Sequence, residues 1–151
     1  MSLATEMCIE PSPEILLASR RWLEPVRAAL GGDFSAAYLT GSVLTSGFDP
    51  RHSGINVLIV ARALDVSRLE ALAPAVRHRG RPAFEPLFVT RQQVESSLDV
   101  FPIEWLEIQE RHLRLEGDDV FQGLEVPRAA LRLQCEHELR GKHVRLRQTY
   151  V

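Results

Sequence analysis

The sequence predicts a fold of the α/β class, more closely an α+β domain in which a small mixed β-sheet is flanked by helices. Short apolar runs rich in β-branched residues alternate with segments of helical periodicity, and Gly, Pro and Asp residues mark the boundaries. With 151 residues, of which 45% are hydrophobic, the chain is long enough for one compact domain. We expect the main domain to cover residues 1–126. A long C-terminal helix over residues 127–151 either belongs to it or begins a helical region.

The first helix has clear signals at both ends. Ser12 can cap it, Pro13 suits its first position because a missing N–H costs nothing there, and Gly31 with Gly32 ends it. Pro25 lies inside this helix and should kink or split it, because proline removes a backbone hydrogen bond and clashes with the preceding turn.

A short strand over residues 36–39 leads directly into Gly41 and Ser42. Residues 43–46 can form a helical turn, which would place the Gly-Ser amides at or near a helix N-terminus. Backbone N–H groups in that position attract phosphate oxygens, and the Ser42 hydroxyl adds a donor. Gly41 and Ser42 are therefore candidates for phosphate binding.

Residues 55–61 form the clearest predicted strand, because their Ile and Val run is typical of a central strand buried on both faces. Asp65 or Ser67 can cap the helix that follows, which continues to Val76 although Pro74 weakens its middle. A third strand is predicted over residues 84–89. The remaining elements are a short helix from Thr90 to Leu98, a strand over residues 101–108 that also fits helical spacing, and a strand around Leu113 and Leu115.

Pro86 places the third strand, or that part of it, at a sheet edge or a bulge, since proline cannot donate to a neighbouring strand. The basic stretch at residues 77–82, just before it, could contact phosphate. A solvated helix end is the preferred interpretation.

The C-terminal segment has helical periodicity from Pro127 to the end of the sequence. A helix of this length would run roughly 35 Å, which is longer than a small sheet needs for cover. The part of this helix that extends beyond the sheet must pack on another protein surface. We therefore expect a second copy of the chain or a helical protein partner to bind residues 127–151, or a helical region to follow.

Charge and cysteine content limit the function classes. A net charge of -2 argues against general nucleic-acid binding and against binding to anionic membranes. Cys8 and Cys135 lack metal-ligand spacing and are interpreted as free thiols of a reducing compartment. No apolar run approaches the ~20 residues that cross a bilayer, and no signal peptide is recognisable, so we expect a cytoplasmic protein.

The order of helix, strand, Gly-Ser turn, strand, helix and strand resembles the nucleotidyltransferase superfamily with the polymerase-beta type of fold. That superfamily includes the aminoglycoside nucleotidyltransferases and the minimal nucleotidyltransferases of bacterial toxin-antitoxin pairs. The resemblance covers residues 36–90 by motif, with weaker support to residue 126. In the family an Asp-x-Asp or Asp-x-Glu motif follows the Gly-Ser turn on an apolar strand. Here Gly54 and Asn56 stand at the two acidic positions, so the motif is degenerate.

The family pattern has a physical reason. Residues i and i+2 of a strand project to the same face, so two carboxylates there can share divalent cations with nucleotide phosphates. Gly54 offers no side chain, and Asn56 offers a neutral oxygen that cannot offset the charge of a cation. Glu85 is placed for the third carboxylate of the family, and Asp49 in the connector could reach inward to form a displaced pair with it.

These residues give three hypotheses. The first is a nucleotidyltransferase-fold protein that is catalytically impaired and binds a nucleotide or phosphate at Gly41, Ser42, His52 and Ser53, with no metal site. The second is an interaction module that pairs through its C-terminal helix, as in a toxin-antitoxin pair or a multi-subunit transferase. The third is an active nucleotidyltransferase with an unusual metal shell built from Asp49, Asn56 and Glu85, in which Asp49 and Glu85 are catalytic candidates. Only this third hypothesis requires Mg²⁺ together with a nucleoside triphosphate.

Overall fold

The computed structural model of the protein describes residues 8–77 and 80–149. Within these residues, four strands and five α-helices confirm the predicted α+β class. In chain order they are α1 (Pro13–Leu30), β1 (Phe34–Thr40), β2 (Ile55–Ala61), α2 (Val66–Val76), β3 (Phe84–Thr90), α3 (Arg91–Ser97), α4 (Pro102–Glu110), β4 (His112–Gly117) and α5 (Arg128–Thr149).

The four strands form one mixed sheet with the order β3-β2-β1-β4. Strand β1 pairs antiparallel with both β2 and β4, whereas β2 pairs parallel with β3. The predicted central position of β2 is confirmed, and Pro86 lies on an edge strand as expected. In this register Asn56 stands opposite Thr40 on one side and Glu85 on the other.

Helices α1 and α2 contribute to one core cluster with the sheet. Trp22, Leu23, Val26 and Leu30 of α1 and Leu72 of α2 are buried in this cluster together with Ala37, Leu39, Val57 and Ile59 of the sheet. The alternation within each strand leaves the opposite face of the sheet to carry Asn56 and Glu85.

The chain divides into two compact units. The first consists of Met1–Arg91 together with Arg111–Val120, and the second of Gln92–Glu110 together with Phe121–Val151. Within the second unit, Gln134 of α5 accepts a hydrogen bond from the Ile103 amide at 2.9 Å and donates to the Glu104 carboxylate. The predicted boundary at residue 126 stays a prediction.

The predicted strand over residues 101–108 is wrong, because this segment is helix α4. Trp105 is buried, its indole Nε1 donates to Ser97 Oγ at 2.9 Å, and its amide donates to the carbonyl of Phe101 at 3.1 Å. The sequence of this segment fits the periodicity of a strand and that of a helix. Packing of the Trp105 indole, together with the hydrogen bond from the Ile103 amide to Gln134, favours the helix.

Of the two effects predicted for Pro25, the split of the first helix is wrong, and the kink stays a prediction. Helix α1 continues unbroken from Pro13 to Leu30 with Pro25 on its exposed side. The carbonyl of Arg21, which loses its helical partner to the proline, belongs to an exposed residue that water can reach. Capping by Ser12 and termination at Gly31 are as predicted.

The helices that the structure describes include none that is both long enough and apolar enough to span a bilayer. Cys8 and Cys135 are both free and exposed.

Candidate functional site

The turn after β1 is built around Gly41. A short 3₁₀ turn over Gly41–Leu44 follows Thr40 directly, and Gly41 has a φ of 73°. A Cβ at this position would lie 2.7 Å from Nδ2 of Asn56. The left-handed backbone and the close approach of the amide both require glycine here. Asn56 therefore packs directly against the turn.

Ser42 lies exposed in the same turn. Its carbonyl oxygen accepts hydrogen bonds from the Thr45 amide at 2.9 Å and from Thr45 Oγ1 at 2.8 Å. These two bonds hold the turn together through the Ser42 carbonyl, while the Ser42 side chain lies at the surface.

Gly54 immediately precedes β2 and lies against the carboxylate of Glu85. A Cβ built on Gly54 would overlap Oε1 of Glu85 and would lie 2.6 Å from Cδ. Gly54 is not among the glycines with positive φ, so its backbone would accept a side chain. The Glu85 carboxylate therefore occupies the volume that a residue-54 side chain would need.

The start of β3 is held in position from the other face of the sheet. Phe84 stacks on Trp22 of α1 with ring centroids 5.0 Å apart and an interplanar angle of 15°. Since successive strand residues project to opposite faces, anchoring Phe84 in the core directs Glu85 toward Gly54. Trp22 therefore acts as a packing residue.

Four predicted positions thus come together. Gly41 contacts Asn56, Asn56 pairs in register with Glu85, and Glu85 contacts Gly54. The pairing of β2 with β1 on one side and with β3 on the other produces this arrangement.

Asp49 is engaged within its own connector. Its carboxylate accepts hydrogen bonds from the Arg51 amide at 2.9 Å and from Nδ1 of His52 at 3.0 Å, and Arg51 Nε lies 3.3 Å from it. The Arg51 amide, the His52 ring and the Arg51 guanidinium, in that order, hold the pKa of the Asp49 carboxyl below its ordinary value. To serve as a metal ligand with Glu85, Asp49 would have to leave these partners.

A cleft of about 280 Å³ lies beside these residues. Its lining consists of Pro50, Arg51, His52, Ser53, Gly54, Arg81, Pro82, Ala83 and Glu85. Arg81 Nη1 donates to the carbonyl of Arg51 at 3.1 Å, which joins the connector to the segment before β3. Of the predicted phosphate-binding residues, His52 and Ser53 line this cleft, whereas Gly41 and Ser42 form the turn at the end of β1.

Two arginines line this cleft that were not singled out as binding residues from the sequence, Arg51 and Arg81. Arg81 belongs to the basic stretch at residues 77–82, and two other members of that stretch, His78 and Arg79, lie outside the described residues. The signal for Arg51 was its position in the same connector as His52. Its hydrogen-bond partner Arg81 is 30 residues away in the chain.

The residues at the start of β2 and β3 do not fit a magnesium site of two paired carboxylates. They provide one carboxylate from Glu85, a neutral amide from Asn56 and no side chain from Gly54. Within residues 8–77 and 80–149, no group of three His, Cys, Asp or Glu side chains is placed to hold a metal ion. Magnesium is normally held by one or two carboxylates together with substrate phosphates.

The sheet order, the Gly41 turn and the flanking helices define a nucleotidyltransferase-like fold. A solved structure that shares this fold is that of spectinomycin adenyltransferase AAD(9) from Enterococcus faecialis, crystallised with ATP and spectinomycin. The two superpose with a TM-score of 0.56 at 17% sequence identity, over 80% of this chain and 63% of that one. The chain thus spans somewhat less than two thirds of that neighbour, and similarity at this identity shows the fold alone. No family model matches the chain, and no curated protein matches it.

Proposed function

We propose that this protein binds a nucleotide or a phosphate group at the Gly41–Ser42 turn and does not carry out metal-dependent nucleotidyl transfer. The observation that carries this proposal is a contrast between Gly41 and Gly54. Gly41 has the left-handed backbone of a tight turn, whereas the carboxylate of Glu85 fills the space that a side chain at residue 54 would need.

The turn supports binding because it combines exposed donors with a fixed backbone. Gly41 holds the left-handed conformation, and Ser42 offers a hydroxyl at the surface. Backbone amides of such turns form concave sites for anions. The neighbour of similar fold was crystallised with ATP, which makes a nucleotide the first ligand to test.

Metal-dependent transfer is disfavoured by the donor set. The reaction needs divalent cations that neutralise charge on the transferred phosphoryl group and orient it. A site with Asn56 and Glu85 supplies one negative charge where the family pattern supplies three. The unusual shell of Asp49, Asn56 and Glu85 would first require Asp49 to leave Arg51 and His52.

Isothermal titration with ATP and with CTP, each with and without magnesium, tests this proposal. We expect measurable binding of at least one nucleotide. Ser42→Ala should weaken it about tenfold, because the variant loses one hydrogen bond to a charged group. Ser67→Ala, which alters an exposed serine on α2, is the matched control and should change nothing. Magnesium-dependent transfer of a nucleotidyl group to any acceptor would overturn the proposal.

A second candidate function, pairing through α5, is favoured by a separate observation. Helix α5 exposes Leu133, Leu139, Val144 and Leu146, each with more than half of its surface accessible. Leu139 and Leu146 are seven residues apart and therefore lie on one face of the helix, and exposed apolar patches mark protein interaction sites. The proposed partner is a second copy of the chain or another helical protein.

Light scattering over a range of concentrations tests self-association through this helix. A dimer that Leu139→Glu combined with Leu146→Glu converts to a monomer would support it. A wild-type chain that remains monomeric at all concentrations and stays in solution would count against it.

A further inference from the structure

We infer that the cleft lined by Arg51, His52 and Arg81 binds the phosphate oxygens of a polyphosphate without a divalent cation, so that magnesium weakens nucleotide binding. This inference rests on the proposed function, because it adds the side chains of the cleft, and the ionic form of the ligand, to the phosphate binding proposed at the Gly41–Ser42 turn. The two guanidinium groups take the charge-neutralising role that metal ions have in a two-carboxylate site.

The geometry brings two arginines from distant parts of the chain to one cleft. Arg81 Nη1 donates to the Arg51 carbonyl at 3.1 Å, and both residues line the cleft with Glu85. A guanidinium carries five N–H donors. Arg81 uses one of them for the Arg51 carbonyl, and Arg51 uses two for the Asp49 carboxylate, through Nε at 3.3 Å and Nη2 at 3.4 Å, so each side chain keeps donors for a ligand. The planar fork of a guanidinium matches a phosphate in two parallel hydrogen bonds. A cleft of about 280 Å³ is large enough to accept phosphate groups.

The site does not need a divalent cation to offset its own charge. Arg51 and Arg81 carry two positive charges, and Asp49 and Glu85 carry two negative ones, so these four side chains cancel. In a site with paired aspartates the excess negative charge must be offset by cations before a triphosphate can approach. Because Gly54 and Asn56 carry no charge, that excess is absent here. The two arginines are enough to balance the carboxylates of Asp49 and Glu85.

Magnesium then acts against binding. A bound Mg²⁺ reduces the negative charge of a triphosphate and occupies oxygens that a guanidinium would otherwise bind. On the sheet face that carries Gly54 and Asn56, Glu85 provides a single carboxylate. A cation bound there would be held weakly, because no second carboxylate would share it with Glu85. The metal-free anion is therefore the preferred form.

Titration calorimetry with ATP and with inorganic tripolyphosphate, each in EDTA and in excess magnesium chloride, tests this inference. We expect both ligands to bind in EDTA and to bind several-fold more weakly with magnesium. Arg81→Gln should weaken binding in EDTA about tenfold, since a charge-assisted contact is lost, and Arg51→Gln should weaken it in the same direction. Arg81→Lys should retain part of the affinity. The matched control is Arg62→Gln, about 26 Å from Gly54 at the far end of β2, and it should bind as wild type.

The outcomes separate this inference from the proposed function. Binding that Ser42→Ala weakens but Arg81→Gln and Arg51→Gln leave unchanged would keep the proposed function and overturn the arginine site. Binding that requires magnesium would also overturn the inference, and absence of all binding would overturn both. Thermal unfolding of each variant checks that it is folded. If Arg81→Gln is unfolded, Arg81→Lys and Arg51→Gln decide, and wild-type affinity in both would contradict the inference.

Discussion

Gly41 in the turn after β1 and Gly54 before β2 border the same site, and they are glycines for different physical reasons. Gly41 has a φ of 73°, a conformation that residues with a Cβ rarely adopt. Gly54 has no positive φ, and the carboxylate of Glu85 occupies the space that a side chain at this position would need. The backbone requires the first glycine, whereas a neighbouring side chain accounts for the second.

This difference separates the fixed part of the site from its adjustable part. A change at the turn must distort the backbone that follows β1. A change at residue 54 needs only a rotation of Glu85, whose exposed side chain can move. We therefore expect phosphate binding to depend on the integrity of the turn, and the metal-binding character of the strand face to depend on a few side chains.

The largest effect is expected for Gly41→Ala. It should lower the free energy of unfolding by about 2 kcal/mol, because alanine is strained at this φ and its Cβ meets the Asn56 amide. Urea unfolding measures the change. Gly47→Ala in the same connector is the matched control, since its nearest contact would be Thr45 Oγ1 at 3.8 Å. Equal losses in both variants would contradict the requirement at Gly41.

Restoring acidic residues at the strand face should have the next largest effect. Gly54→Asp combined with Asn56→Asp should raise the affinity for Mg²⁺ or Mn²⁺ about tenfold, which corresponds to about 1.4 kcal/mol. Both new carboxylates would project to the face that carries Glu85. Calorimetric titration of the metal alone measures this change. An unchanged affinity in a folded variant would mean that residues 54 and 56 do not share that face.

A smaller effect is expected for Gly54→Ala. Alone it should destabilise the protein by about 0.5 kcal/mol, because Glu85 must leave its position. In a Glu85→Ala background the same change should be neutral or stabilising, since the unfolded chain loses freedom and the obstacle is gone. A double-mutant cycle by urea unfolding gives the coupling between the two sites. A coupling of zero would show that the Glu85 carboxylate does not fill the place of this side chain.

The smallest effect is expected in the connector between the two glycines. The pKa of the Asp49 carboxyl lies below 3.8, its ordinary value, because the Arg51 amide and the His52 ring donate to it. A depressed folded pKa means that these contacts stabilise the fold above pH 3.8 and that this contribution is lost as the pH falls through the folded pKa. His52→Ala should raise the pKa of Asp49 toward its ordinary value, as a carboxyl NMR titration would show. A further decrease would contradict the assignment of His52 as a donor.

The parts of the fold that local chemistry determines could be predicted from the sequence. The Ile and Val run of β2 and the Ser12 cap of α1 each carry their own signal, and both are where the sequence places them. Residues 101–108 satisfied two periods at once, and the choice between them was made by contacts of Trp105 with Ser97 and by the cap from Gln134.

The candidate site was predictable only as a set of positions. Gly41, Gly54, Asn56 and Glu85 could be named from spacing and from the resemblance. The overlap of Glu85 with the residue-54 side chain depends on the parallel register of β2 and β3, which are separated by a whole helix in the chain. The meeting of Arg81 with Arg51 has the same origin and leaves no local pattern.

A crystal structure of the protein soaked with ATP and magnesium tests the central claim most directly. We predict phosphate groups at the Gly41–Ser42 turn and against Arg51 and Arg81, with no metal ion bound between Asn56 and Glu85. A magnesium ion ligated by Asn56 and Glu85 and bridging to the phosphates would contradict this account.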